Sequence, residues 1–517
     1  MAAWTAAQAE AARGQRPAAP AAVAEPATST ASGAVPVPRR APTLLLILVC
    51  MAQFMIVLDV SIVNVALPSI RNDLGFTTTG LQWVVNAYTL TFAGFLMLGG
   101  RAADLLGRRR MFLLGTAAFS IASLLCATTS SQGLLIGARA LQGIAGAVVS
   151  PATLAILTSS FTEGSERNRA VGVWGAMSGL GASAGVLIGG VLTSTAGWPA
   201  IFLVNVPIGL VVVILGRRVI QETKRDDVGH FDLAGAILIT LGLVGVVYGI
   251  VRTDTVGWSS AGALVPIAAG VSILALFGLW EQRIARAPLI PLAIFRRRPL
   301  VAANLVILLL YAALFSTFFF VTLYMQEVLG YSALQAGLGF LPMTLTVFTA
   351  SQFAPRIIAR LGSRRTITLG MLLAATGLAC FTGVHPGASF VAAMLPGSLL
   401  AGTGMGIANV GATVGAVRGV PTEESGLASG LVNSSRFIGG ALGLAVLSTL
   451  AGSHTANAML TGVGQAQALT DGYGAAFRVA VVISLVGAAV AAVLLRPSRP
   501  RTVEVETEPE VAADLAA

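Results

Sequence analysis

Three charged side chains stand inside long apolar runs, where charge is expensive. Asp59 lies in Leu58-Asp59-Val-Ser-Ile-Val-Asn64-Val-Ala-Leu67-Pro68, Arg139 in Leu135-Ile-Gly-Ala-Arg139-Ala-Leu-Gln142-Gly143, and Arg436 in Asn433-Ser-Ser-Arg436-Phe-Ile-Gly439-Gly440. A charged residue at the centre of a bilayer costs about 2.5–3.5 kcal/mol on insertion scales, so such residues mark proton relays, cavities or ion pairs. A carboxyl can take up and release a proton, whereas an arginine stays charged. Asp59 is therefore a candidate proton carrier, and Arg139, at a similar depth, is expected beside it as counter-ion. Other chemistry is excluded by context. Gly181-Ala-Ser183-Ala-Gly185 has the spacing of a hydrolase elbow but lies within an apolar helix, not at a strand–turn–helix junction. His230, His385 and His454 are expected in loops. Cys50, Cys126 and Cys380 sit in separate apolar runs with no metal-ligand spacing and are expected to be buried. The single lysine, Lys224, lies between Thr223 and Arg225, so no Gly-Lys-Ser/Thr phosphate loop is encoded and ATP is not expected as fuel. No enzyme activity, metal or cofactor is expected, beyond the proton itself.

These residues need apolar helices to hold them. The 517-residue chain is 55% hydrophobic and 10% charged, with mean hydropathy +0.83. A soluble domain carries about 25% charge, so lipid is the expected solvent. Fourteen apolar segments, the first centred near Met55 and the last near Leu485, each have about the 20 residues that a membrane crossing requires. Basic clusters at Arg39-Arg40, Arg108–Arg110, Arg217-Arg218, Arg296–Arg298, Arg364-Arg365 and Arg496–Arg501 fall on one side if both termini are cytoplasmic. The net charge of +10 thus reports orientation, not a nucleic-acid partner. Arg101-Ala-Ala-Asp104-Leu-Leu-Gly107-Arg-Arg-Arg110 recurs as Arg356-Ile-Ile-Ala-Arg-Leu-Gly362-Ser-Arg-Arg365, which suggests two related halves. The expected division is a disordered tail over 1–42, a six-helix bundle over 43–218, two linker spans with their loops over 219–298, a second six-helix bundle over 299–496, and a tail over 497–517. The N-terminal tail lacks the apolar core of a signal peptide.

The motif set resembles the fourteen-span drug:proton antiporters of the major facilitator superfamily, over nearly all of 43–496. The Asp59 segment is similar to that family's first-span signature, with Ser61 where Thr is usual. Gly100-Arg101-Ala-Ala-Asp104-Leu-Leu-Gly107-Arg108-Arg109 resembles its loop motif, which implies a conformational latch in which Asp104 meets a helix N-terminus or an arginine across the two halves. Arg139 to Ala147 resembles its fourth-span motif. Gly172, Gly181, Gly185, Gly189 and Gly190 match the antiporter glycine motif, with Val186 where Pro is usual, so a weaker kink is expected. The fold implied is all-α and polytopic: two six-helix bundles plus two inserted helices. The function implied is proton-coupled export of small amphiphilic compounds by alternating access, from the bacterial cytoplasmic membrane, by a monomer. Uptake or symport on the same fold is the alternative, and a transporter-like receptor the remote one. Gln53, Asn64, Asn86, Tyr88, Gln142, Tyr324, Gln326 and Arg436 are the candidate lining of a substrate cavity. Asn205 and Pro207 are expected to shape their helix. One deep carboxylate against two deep arginines points to a neutral or weakly anionic cargo.

Overall fold

Helices follow from the composition, because a segment in lipid must satisfy its backbone polar groups internally. The structure, a computed structural model, describes residues 42–162, 164–223, 232–417, 420 and 425–495; the tails expected over 1–42 and 497–517 lie outside them except for Pro42, which begins the first helix. Among the described residues, thirteen helices are long and apolar enough to cross a membrane. They are α1 (Pro42–Leu74), α2 (Trp83–Leu106), α3 (Arg108–Thr128), α4 (Gln132–Ser160), α5 (Ser165–Ala196), α6 (Asn205–Val219) and α7 (Leu233–Val256). Then come α8 (Ala261–Arg283), α9 (Arg298–Leu323), α10 (Ala333–Cys380), α11 (Leu395–Val417), α12 (Ser425–Leu460) and α13 (Gln465–Leu494). Many carry large apolar side chains on the outer surface, such as Leu114, Ile121, Leu134, Val265 and Val271, as a lipid-facing bundle does.

The repeated loop motif has a physical counterpart. Gly107 separates α2 from α3 with φ 106°, and Gly362 interrupts α10 with φ 76°, a left-handed backbone that side chains with a Cβ disfavour. The 48 residues of α10 are more than twice the ~20 that a membrane crossing needs, and the non-helical backbone of Gly362 divides them into two helical segments. Two of the expected apolar segments therefore lie on either side of Gly362.

The α7–α8 pair packs against α2 and α12, and Thr449 Oγ1 donates to the Ile250 carbonyl at 3.3 Å. Its ends are clamped by two buried carboxyls that sequence reading passed over. Asp232 caps α7 by accepting from the Gly235 amide at 2.8 Å, and also accepts from Trp280 Nε1 at 2.8 Å. Glu281 accepts from the Ile290 amide at 3.0 Å. The remaining oxygens, Asp232 Oδ2 and Glu281 Oε1, have no hydrogen-bond partner and both face Gly235, where a Cβ would lie 2.5 and 2.8 Å from them. Glu281→Gln keeps an acceptor for the Ile290 amide and is expected to keep the thermal midpoint. Glu281→Ala orphans that amide and is expected to cost about 1–3 kcal/mol. Thermal unfolding of the purified protein checks this; equal losses in both variants would refute a role for the Ile290 bond.

Candidate functional site

α1 carries two different faces. Gln53, Ile56, Val57, Val60, Ser61 and Asn64 recur at helical spacing and line a central cavity of about 580 Å³. Asp59 points off that stripe and is wholly buried. Its Oδ2 lies 2.6 Å from Arg139 Nη1 on α4. Its Oδ1 accepts from Gln142 Nε2 at 2.7 Å and from Asn205 Nδ2, at the start of α6, at 3.1 Å. Ser123 Oγ on α3 accepts from both amides and donates to the Phe202 carbonyl. Arg139 also donates to Gln142 Oε1 at 2.7 Å and through Nε to the Val84 carbonyl at 3.0 Å, with its guanidinium 4.4 Å from the Tyr88 ring. Every charge here has a partner, as a dry ion pair requires. The arrangement can hold a carboxylate or, once protonated, a neutral acid among neutral amides.

Sequence placement of this cluster needs two corrections. Asn205 does not merely shape α6; it is a direct partner of Asp59. Its signal was the same as that of Asp59, a polar residue in an apolar run. Gln142 belongs to this network and not to the cavity lining.

The cavity is lined by Gln53, Asn64 and Arg436, but not by Asn86, Tyr88 or Tyr324. On α2 the lining residues are Val85 and Phe92, seven apart, so Asn86 and Tyr88 turn away and are fully buried. Tyr324 donates to the His385 carbonyl at 2.9 Å. Gln326 lines a second pocket, of about 680 Å³, with Arg71 and Tyr331. Cys380 is exposed, contrary to expectation, while Cys50 and Cys126 are buried.

Between these two pockets the helices meet tightly. A second acid, Glu327 at the end of α9, has a side chain only 8% exposed. A π-helical turn, Tyr324–Val328, ends α9 and brings Glu327 Oε1 to 2.8 Å from Arg71 Nη1 on α1. Tyr473 on α13 donates to Glu327 Oε2 at 3.0 Å, and Gln326 Nε2 to the Val65 carbonyl at 2.8 Å. The antiporter glycines contribute beside it. Gly181 and Gly189 rest against Val57 and Ile62 of α1, and Gly185 against Ser61. Gly190 and Gly337 bring α5 onto α10: a Cβ on Gly190 would lie 2.7 Å from the Ala333 carbonyl oxygen, and one on Gly337 2.5 Å from that of Val186. Gly172 faces open space, on the cavity wall. α5 runs unbroken across Val186. The cavity is thus closed toward Arg71, and its lining continues toward the opposite end through Ser150, Gly172, Ser351 and Gln352.

At that opposite end the loop motif is tied down differently from expectation. Asp104 accepts from Arg108 Nε and Nη2 at 3.2 and 3.0 Å, one helical turn away, and not from an arginine of the other half. The α3 N-terminus is capped instead by Glu222, whose carboxylate accepts from the Arg109 and Arg110 amides, each at 3.0 Å. A Cβ on Gly107 would strike that carboxylate at 2.6 Å. Gly100 packs on Pro151. Asp104 has a closer cation within its own turn, and the anion at the helix N-terminus comes from the segment after α6.

Residues 49–444 match the sequence profile of the Major Facilitator Superfamily. The cephamycin export protein of Amycolatopsis lactamdurans is 41% identical over 84% of this chain and 89% of its own length. The puromycin resistance protein of Streptomyces alboniger is 39% identical over 89% and 92%. Among solved structures, an autoinhibited peptide transporter of the POT family superposes with a TM-score of 0.65 at 14% identity, covering 88% of this chain and 99% of that one. At that identity the likeness concerns the fold. With a family profile over most of its length and relatives of about 40% identity, the chain belongs to the Major Facilitator Superfamily.

Proposed function

We propose that this protein is a proton-coupled exporter of small amphiphilic compounds that works by alternating access. The observation that carries the reading is Asp59, a fully buried carboxylate held by Arg139, Gln142 and Asn205 on the helix whose other face lines the cavity. Protonation would remove the charge that holds Arg139 and loosen α1 against α4, so proton binding and cavity access would be coupled through one helix. Relatives named for cephamycin export and puromycin resistance support the outward direction. We further infer fourteen crossings, with Gly362 dividing α10 into two, both termini cytoplasmic, and two six-helix halves flanking α7 and α8. The Gly107–Gly362 end is then cytoplasmic, and the cavity is caught facing inward. A pump-deficient bacterial host expressing the chain should gain resistance to amphiphilic antibiotics, and an uncoupler should abolish the gain. Resistance indifferent to the uncoupler would refute proton coupling. Val186 at the usual Pro position keeps uptake or symport as a second reading, and the direction of flux under an imposed pH gradient decides between them.

A further inference from the structure

The two deep arginines are in opposite electrostatic situations. Arg139 is neutralised by Asp59. Arg436, on α12, faces the cavity and meets only neutral groups. Its Nη1 donates to Asn433 Oδ1 at 3.0 Å, and its Nη2 to Thr413 Oγ1 at 2.8 Å and Asn409 Oδ1 at 3.3 Å. Its guanidinium lies 5.5 Å from the Tyr311 ring. Its Nε is buried without a partner. A guanidinium has five donors in a fork that matches a carboxylate, so donor capacity and a full positive charge remain unspent at this wall. Among the described residues no Asp or Glu lines the cavity, and Arg436 is the one charged residue that does. An unpaired charge in a low-dielectric space is costly, and an anion bound there would relieve that cost. The wall also carries a set of aromatic rings: Phe315, Phe318, Phe348 and Phe437 line it beside Tyr311, with the Phe437 ring 4.3 Å from that of Phe92 and 6.3 Å from that of Phe315.

We propose that Arg436 anchors a carboxylate, so that the preferred cargo is an aromatic amphiphile bearing one negative charge. The proposal rests on the exporter reading above and deepens it by assigning the charge of the cargo. A cation would meet the guanidinium with no acid to offset it, whereas a carboxylate completes the hydrogen bonding of Arg436 while its rings stack on the phenylalanine wall.

The test uses three radiolabelled probes on one skeleton: an arylpropionic acid, its methyl ester and the matching arylpropylamine. Each is measured for equilibrium binding to the purified full-length protein in detergent. The acid is expected to bind most tightly. Arg436→Gln should weaken the acid about 10- to 100-fold, the loss of a charge-assisted hydrogen bond, and shift the ester far less. Arg436→Lys, which keeps the charge without the fork, should fall between wild type and Arg436→Gln for the acid. No measurable binding of the acid to wild type, preference for the amine, or equal weakening of acid and ester by Arg436→Gln would each overturn the proposal. Proton-driven movement of the same probes in proteoliposomes is scored separately. Acid binding without such movement would count against the exporter reading and leave the anchor standing; movement with the amine preferred would do the reverse.

Discussion

Asp59→Asn is expected to bring pH-gradient-driven transport in proteoliposomes down to the level of protein-free vesicles. Asparagine keeps the size of the side chain and can still bond Gln142 and Asn205, but it carries no exchangeable charge. It also strands Arg139, which lies 1% exposed and whose one acidic partner is Asp59. Removing one member of a buried ion pair costs about 3–5 kcal/mol, so lower stability alone could stop transport. The double variant Asp59→Asn/Arg139→Gln separates the effects. With both charges gone it should regain the wild-type melting midpoint to a large extent, yet still move no substrate in response to a proton gradient. Retained gradient-driven transport in Asp59→Asn would remove Asp59 from the coupling mechanism, whatever its place in the fold.

Gly337→Val is expected to hold the Arg71 end of the bundle apart. The α5–α10 contact leaves no room there, since a Cβ alone would lie 2.5 Å from the Val186 oxygen, and valine adds two methyl groups. Overpacking a well-fitted contact costs typically about 1–3 kcal/mol, which shifts a two-state balance by about 5- to 150-fold. Because the strain exists only when this end is closed, it should favour the opposite conformation instead of unfolding the protein. The measurement is alkylation of Val60→Cys, a cavity position on α1, in a background with Cys50, Cys126 and Cys380 replaced by serine. A membrane-impermeant maleimide applied to intact cells should label it faster in Gly337→Val than in the parent, and substrate transport should fall. Unchanged labelling from outside would mean that this contact is not part of the closure. Gly190→Val strikes the Ala333 carbonyl and the Leu334 backbone of α10 from the other side and should act in the same direction.

Sequence alone determined what depends on local composition. The apolar segments had to be helices in lipid, since lipid offers no partner to a free backbone group. The two repeated basic loops announced matching glycine breaks at Gly107 and Gly362. Asp59, Arg139 and Arg436 stood out because the penalty for a charge in an apolar run is a property of the run, whatever packs around it. Tertiary structure decided which way each polar side chain faces. A helix between lipid and an apolar core has no polar face to reveal its orientation, because both of its environments are apolar. Asn86 and Tyr88 could therefore be read as cavity residues from sequence, and only packing turned them away from the stripe that holds Val85 and Phe92. For the same reason Asn205 looked like a helix-shaping residue until α6 brought it to Asp59. Partners distant in the chain were out of reach altogether. Glu327 and Glu281 carried no such signal: a π-turn sets Glu327 against Arg71 and Tyr473, and the fold buries Glu281 close to Asp232. The charge of Arg436 was legible in the sequence; that it meets no acid among the described residues, and so stands open to one, belongs to the fold.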